Sequence, residues 1–263
     1  MRLLAPAKIN LGLSIKRKLS NGYHLVEMIN TQVSLCDELE IEVGATNAIK
    51  LDKNNTMFKT LELIDNKYNI TKWKHNIPEA CGLGGASSDV AAILKHFDKE
   101  DLVWQIGKDV AYAYKGGIKH EKQGYSTGST FKNLPALPNC WIVIVVPKVK
   151  ISTKVAYRLI DKYKFPASNL SLLINAVKNS DLEEIGKNLV NDFYSLTVKL
   201  CPEIEEIKKI MNISGALGVS ISGKGPAVFG IFKTKETANH TLKPLVKDGF
   251  EQVFLVKSIK EKV

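Results

Sequence analysis

The alternation of apolar and polar positions divides the chain into a strand-rich beginning, a helix-rich middle and a mixed end. Residues 7–16 place Ile9, Leu11, Leu13 and Ile15 on one side of a period-two pattern, which predicts a strand. Asn21-Gly22 marks a turn. Met28–Ser34 and Glu38–Val43 predict two further strands, the second with Leu39, Ile41 and Val43 on one face. Thr56–Tyr68 carries Phe58, Leu61, Leu63, Ile64 and Tyr68 near helical spacing, behind Asn55 or Thr56 as a cap. Trp73–Ile77 predicts a short extended piece that ends at Pro78, and Ser87–His96 predicts a helix. Trp141–Val146 has the apolar run of a buried strand. Thr153–Tyr163, Asn169–Asn179, Asp181–Leu189 and Pro202–Met211 have helical periodicity. Strand Gly218–Ser222, a turn over Gly223–Pro226, strand Ala227–Phe232, helix Lys235–Val246 and strand Glu251–Ile259 close the sequence. Strands, then helices, then a mixed ending predict an α+β protein of two lobes, residues 1–147 and 148–263.

Composition narrows the class. In 263 residues, 44% hydrophobic and 24% charged, there is enough apolar material for a core without disulfide or metal support. Cys36, Cys81, Cys140 and Cys201 make no C-x-x-C pair and have no zinc spacing, so reduced thiols and no metal site are expected. No apolar run approaches the ~18 residues of a membrane span. Met1–Asn10 runs directly into strand pattern without a leader, so a cytoplasmic protein with no membrane partner is expected. The net charge of +10 comes almost wholly from lysine, arginine standing only at Arg2, Arg17 and Arg158. Bidentate reading of phosphate and guanine favours arginine, and the lysines form no block, so no nucleic-acid partner is expected. A positive field does favour an anionic nucleotide or diphosphate ester. Nothing in the sequence fixes an oligomeric state.

Chemistry concentrates in Pro78-Glu79-Ala80-Cys81-Gly82-Leu83-Gly84-Gly85-Ala86-Ser87-Ser88. Its three glycines permit backbone conformations that side chains block. The loop opens onto a helix whose first N–H groups and positive dipole end attract anions, and successive amides can wrap a diphosphate. Ser87 and Ser88 can cap the helix or contact phosphate and Mg²⁺. The spacing is neither a Walker A loop nor a dinucleotide fingerprint. Elsewhere, Lys8 lies in the middle of an apolar strand, where a charge requires a partner.

Pro-x-x-x-Gly-Leu-Gly-Gly-x-Ser-Ser resembles the nucleotide loop of the GHMP kinases (galactokinase, homoserine kinase, mevalonate kinase and phosphomevalonate kinase). Pro6-Ala7-Lys8-Ile9-Asn10-Leu11, Asn21-Gly22-Tyr23-His24 and Ser222-Gly223-Lys224-Gly225-Pro226-Ala227 extend the resemblance over most of the chain. It implies the two-lobed GHMP kinase fold, with a ribosomal protein S5 domain 2-like N-terminal lobe and a ferredoxin-like C-terminal lobe. It also implies an enzyme that phosphorylates an alcohol with ATP, Mg²⁺ being carried by the nucleotide. Within the family, Gly22-Tyr23-His24 after Pro-Ala-Lys-x-Asn resembles the branch whose small-molecule substrate carries a cytidine diphosphate group. By that resemblance Lys8 and Asp109 are catalytic, and Pro78–Ser88 binds the nucleotide. Tyr23 and His24 hold the cytosine, Thr153 and Tyr157 add a stacking surface, and Asn10 contacts the polyol or supports Lys8. The Gly223–Gly225 turn closes the site from the second lobe. A family kinase for another alcohol, or a catalytically silent nucleotide- or RNA-binding protein, is the alternative. Ala86 stands where the family has a third glycine, Lys224 where it has a small residue, and the stretch from Asp89 to Asp109 is short. Gly124–Gly128 does not match the family's second glycine loop and is given no role.

Overall fold

Lys8 and Asn10 lie on one face of a 17-residue strand, β1 (Arg2–Lys18), while Ala7, Ile9 and Leu11 on its other face are fully buried. The computed structural model of the chain describes residues 1–44, 46–64, 67–123, 129–163 and 166–259. Residues 124–128 are outside the described residues. After β1 come β2 (His24–Val43), α1 (Thr56–Ile64), β3 (Tyr68–Lys74), α2 (Gly85–His96), α3 (Val103–Ile106), α4 (Lys108–Lys115), β4 (Lys119–Gln123) and β5 (Ser129–Asn133). Then follow β6 (Trp141–Val145), α5 (Thr153–Tyr163), α6 (Ser171–Lys178), α7 (Leu182–Lys187), β7 (Val190–Asn191), α8 (Tyr194–Leu200) and α9 (Glu203–Ile213). The last elements are β8 (Gly218–Ile221), β9 (Val228–Phe232), α10 (Lys235–Lys247) and β10 (Val253–Val256).

Two sheets organise these elements. The first has the order β5-β4-β2-β1-β7, with β3 also paired to β2. β2 is long enough to hold β4 along Val26–Asn30 and β3 along Glu38–Val43. The second has the order β10-β6-β9-β8, all antiparallel. Counted along the chain, that is the 4-1-3-2 arrangement of a ferredoxin-like lobe. The sheets exchange strands across the expected boundary at Pro147: Trp141–Val145 joins the second sheet, and Val190–Asn191 returns to pair with β1 at Gly12 and Leu13.

One apolar core joins the lobes. Ala7, Ile9 and Leu11 of β1 pack in the same cluster as Ile142 and Ile144 of β6 and Phe229 and Ile231 of β9. Leu13 and Ile15, further along the same alternation, belong to a second cluster with Phe193, Ile204 and Phe232. The register shift between Asn10 and Gly12 falls at that change-over, so one period-two run serves two cores. A third cluster seats α1, α2 and α4 against Leu39, Ile41 and Ile70 of the first sheet.

Departures from the expected elements have local causes. The strands expected at Met28–Ser34 and Glu38–Val43 are one strand, because β1 pairs continuously alongside both. The helix expected to reach Tyr68 ends at Ile64, and Tyr68 and Ile70 instead pair with Val43 and Ile41. The short stretch before Asp109 is a single 3-10 turn (Glu100–Leu102) followed by α3 and α4. β4, sequence Lys-His-Glu-Lys-Gln, was not expected because it has no apolar period, yet β2 and β5 flank it. Its polar side chains are matched by partners: His120 Nε2 lies 2.6 Å from Glu27 Oε1, and Lys119 Nζ donates to Asn133 Oδ1 at 2.6 Å.

The α7–β8 contact is backbone on backbone. A Cβ at Gly218 would stand 2.0 Å from the Gly186 carbonyl oxygen. Gly218→Ala therefore forces α7 away from the second sheet, and urea unfolding is expected to record a loss of about 1–3 kcal/mol. A variant as stable as the parent would mean that this contact is loose.

Candidate active site

The glycine loop is fixed between β1 and the turn after β8. Lys8 N donates to the Leu83 carbonyl at 2.9 Å, and Ala227 N donates to the Cys81 carbonyl at 3.0 Å. Gly82 has a φ of 97°, and a Cβ there would fall 2.0 Å from the Ser222 carbonyl oxygen. The second lobe thus rests directly on the loop backbone, an approach only glycine allows. Gly84, with a φ of 75°, is the cap of α2 and supplies no side-chain bond to it. The first amides of α2 face a cleft of about 670 Å³ lined by Pro78, Glu79, Ala80, Gly82, Gly84, Gly85, Ala86 and Ser87. Ala86 is in the first turn of α2 with ordinary helical φ, so a methyl group is accommodated where the related loops carry glycine.

Three loop residues are placed otherwise than expected. Cys81 and Leu83 are buried in the core between the lobes. Ser88 is buried and donates its hydroxyl to the Pro6 carbonyl, which turns it from the cleft toward β1. Neither Ser87 nor Ser88 caps the helix; Ser87 alone of the two lines the main cleft.

Lys8 and Asp109 line this same cleft, from β1 and from the first turn of α4. Lys8 Nζ donates to Asn10 Oδ1 at 2.6 Å. Burial holds the ammonium below the usual lysine range, against the pull of the Asp109, Glu121 and Cys81 groups. Asn10 Oδ1 also accepts from Gly223 N at 2.6 Å; the Ser222 hydroxyl, 3.3 Å from the same oxygen, donates to the Gly82 carbonyl at 2.8 Å. Lys224, between the two turn glycines, donates its ammonium to the carbonyls of Ala80 and Ile151. Its long side chain therefore ties the turn to the glycine loop and to the segment before α5, and burial lowers its pKa.

At the other end of the cleft, Thr153 and Tyr157 line the wall from α5. The His24 ring stacks on Tyr157 with centroids 4.8 Å apart, and Phe193 meets Tyr157 edge-on. His24 Nε2 lies 2.7 Å from Asp161 Oδ1. A carboxylate only accepts, so that nitrogen carries the proton. The Lys18 ammonium, assisted by His24, holds Asp161 below the usual carboxylate range. Burial and the nearby Asp109 charge push the Tyr157 hydroxyl up to about 12, which places the aromatic wall and Asp109 in one electrostatic neighbourhood. Tyr23 is set apart: it is 67% exposed, with Lys108 Nζ 5.4 Å from its ring centre. Asp161 was not singled out from sequence, although Thr153, Tyr157 and Asp161 fall at successive four-residue steps on one helix face.

Asp37 and Asp89 were also missed. Asp37 Oδ1 accepts from the backbone amides of Asn76 and Ile77, at 2.6 and 2.7 Å, and so holds the entry to the glycine loop. Asp37 Oδ2 and both oxygens of Asp89 are buried without a donor among the described residues. Two facing carboxyl groups can be reconciled by a proton between them. Burial, and then the Asp37 charge, push Asp89 up to about 8.

A two-lobed fold with a glycine loop opening onto a helix at the cleft is that of the GHMP kinases, and the sequence relatives agree. Residues 173–250 match the GHMP kinase C-terminal family. The chain is 32% identical to the 4-diphosphocytidyl-2-C-methyl-D-erythritol kinase of Bacillus pumilus, covering 99% of this chain and 98% of that one. It is 33% identical to that of Clostridioides difficile, covering 98% and 95%. The chain belongs to the 4-diphosphocytidyl-2-C-methyl-D-erythritol kinase family, and this family implies use of ATP. The crystal structure of a 4-(cytidine 5'-diphospho)-2C-methyl-D-erythritol kinase superposes with a TM-score of 0.77 at 24% identity, covering 98% of this chain and 99% of that one. The crystal structure of L. major mevalonate kinase in complex with R-mevalonate gives 0.69 at 17%, covering 100% and 97%. At these identities the two structures establish the fold alone.

Asp89 gives a pH signature. Its folded-state pKa of about 8 is raised from an ordinary 3.8, so folding takes up a proton between those values. Its stabilising contribution is full below the lower value and is lost as pH rises through the upper one. Asp89→Asn, which places an amide donor opposite Asp37, should remove that loss. Thermal melts should show the variant gaining on the parent by about 3 °C or more between about pH 5 and about pH 8. A constant difference across that range would place the proton elsewhere.

Proposed function

We propose that this chain transfers the γ-phosphoryl group of ATP to the 2-hydroxyl of 4-diphosphocytidyl-2-C-methyl-D-erythritol, giving the 2-phosphate and ADP. The step belongs to non-mevalonate isoprenoid precursor biosynthesis in the cytoplasm. The observation that carries this reading is the meeting of Lys8, Asp109 and the glycine loop in one cleft, in a chain belonging to this kinase family.

In the proposed reaction the substrate oxygen attacks the γ-phosphorus as the bond to the β–γ bridging oxygen breaks. The Asp109 carboxylate takes the hydroxyl proton. Lys8 orients the nucleophile and offsets charge gathering on the transferred oxygens. Its bond to Asn10 fixes the ammonium near the loop. The amides at the start of α2, where Gly84, Gly85 and Ala86 line the cleft, hold the phosphates. Ser87 lines this part of the cleft, and its hydroxyl would be a protein ligand for a magnesium ion that arrives with the nucleotide and keeps mostly phosphate and water ligands. When bound, that ion spreads the charge of the phosphates. Tyr157 and Tyr23 offer faces for the cytosine, His24 an imidazole edge, and Thr153 a hydroxyl at the same wall.

Coupled measurement of ADP release with this alcohol tests the reading. Asp109→Asn should lower kcat by about 10²-fold or more while nucleotide binding survives. Full turnover in that variant would remove Asp109 from the mechanism. Tyr23→Ala should raise KM for the cytidine substrate far more than KM for ATP. An equal rise in both, or faster turnover of an alcohol lacking cytidine, would point to a GHMP kinase of different specificity.

A further inference from the structure

Behind Lys8 a line of polar side chains runs through the first sheet. Lys8 Nζ donates to Asn10 Oδ1 at 2.6 Å, Asn10 Nδ2 donates to Asn30 Oδ1 at 2.6 Å, and Asn30 Nδ2 donates to Glu121 Oε2 at 2.7 Å. Asn10 and Glu121 have no exposed surface, and Asn30 retains only 2%. Each link comes from a neighbouring strand: β1, then β2, then β4. An amide has one acceptor and one donor end. With Asn30 Oδ1 occupying the donor end of Asn10, the Asn10 carbonyl must point toward Lys8 and Gly223. The last member is a fully buried carboxylate, a group rarely placed in a core without a charge to answer it.

We propose that Asn30 and Glu121 are positioning residues of the phosphoryl transfer: they fix the Asn10 amide in the orientation that anchors Lys8, and Glu121 supplies a second negative charge behind the lysine. The inference rests on the catalytic role proposed above for Lys8. The charged and titratable groups around the lysine come from each packed element: Asp109 from α4, Glu121 from β4, Cys81 from the glycine loop and Lys224 from the second-lobe turn. Around Glu121 they include Lys8 from β1 and the Tyr112 phenol from α4, with the Asn30 amide from β2 between. Asp109 faces the reacting hydroxyl and is needed there as a proton acceptor. Glu121 lies behind the lysine and can balance it throughout the cycle without entering the cleft. The arrangement keeps Lys8 cationic at the pH where a buried lysine alone would lose its proton.

Two variants separate charge from orientation. Glu121→Gln keeps an oxygen for Asn30 but removes the charge. The pair Asn30→Leu with Glu121→Leu removes the charge together with the Asn30 oxygen that holds the donor end of the Asn10 amide. Lys8 is read directly by competitive acetylation with acetic anhydride across pH, with mass spectrometry of the Lys8 peptide. Both variants should move its labelling midpoint down by about one pH unit or more. The alkaline limb of kcat should move with it. The double variant should also lose kcat severalfold at all pH values, with KM for ATP unchanged. Glu121→Asp should restore the midpoint.

An unmoved midpoint in Glu121→Gln would overturn the electrostatic role, and full kcat in the folded double variant would overturn the positioning role. Failure of both variants to fold would also overturn the proposal, since Glu121 would then serve the sheet and not the lysine. The labelling readout needs no turnover. If the parent chain fails to phosphorylate the cytidine substrate while the midpoint still shifts, the functional reading fails and the Lys8–Glu121 coupling stands.

Discussion

One amide oxygen, Oδ1 of Asn10, joins the parts of the molecule that must meet. It accepts from the Lys8 ammonium and from the backbone of Gly223. Those donors belong to the first strand and to the second-lobe turn, and the neighbouring Ser222 hydroxyl donates to the Gly82 carbonyl of the glycine loop at 2.8 Å. Buried polar groups of this kind have only a few ways to be satisfied at once. Satisfying Asn10 therefore sets where the lysine, the loop and the turn stand relative to one another. Apolar packing around it, which is less directional, brings the lobes together but would tolerate small shifts among these parts.

Elements with strong apolar periods were legible before the fold was known. α5 spans the expected Thr153–Tyr163, and the turn at Asn21-Gly22 closes with Gly22 N donating to the Leu19 carbonyl at 3.0 Å. Elements whose stability comes from neighbours were not. β4 has no hydrophobic face of its own and exists because β2 and β5 saturate its backbone. Val190–Asn191 is too short to leave any period, and is strand only because β1 lies beside it. Tyr68 shows the same force in reverse, since its helical spacing lost to pairing with Val43.

The site was legible in proportion to how much of its chemistry is local. The glycine loop carries its own signature, because the need for positive φ and for contact with Ser222 leaves glycine alone at Gly82. Lys8 stood out as a charge in an apolar strand. Asp109 has no such mark, and only resemblance drew attention to it. Asp37 with Asp89, Asp161, and Glu121 with Asn30 escaped because each gains its meaning from a residue far away in sequence. Glu121 in a run of polar residues reads as solvated surface, whereas the sheet buries it completely. Ser88 erred the other way: its place beside Ser87 suggested a shared role, but helical geometry turns it onto Pro6.

The shared core bears on how phosphoryl transfer would be organised on the proposed reading. If the lobes closed over substrate like a hinge, their junction would need a surface able to slide. Instead Ile9 and Leu11 pack in one apolar cluster with Ile144 and Phe229, and Gly82 lies against Ser222 without space for a methyl group. Opening that junction would expose apolar surface and unpair Asn10 together. On that reading the lysine and the amides at the start of α2 are set in position before substrate arrives, and less reorganisation is left to the transition state. Adjustment to ligand falls to the periphery of the cleft, where Tyr23 is exposed and where a cytosine must find its place beside rings that already stack on each other.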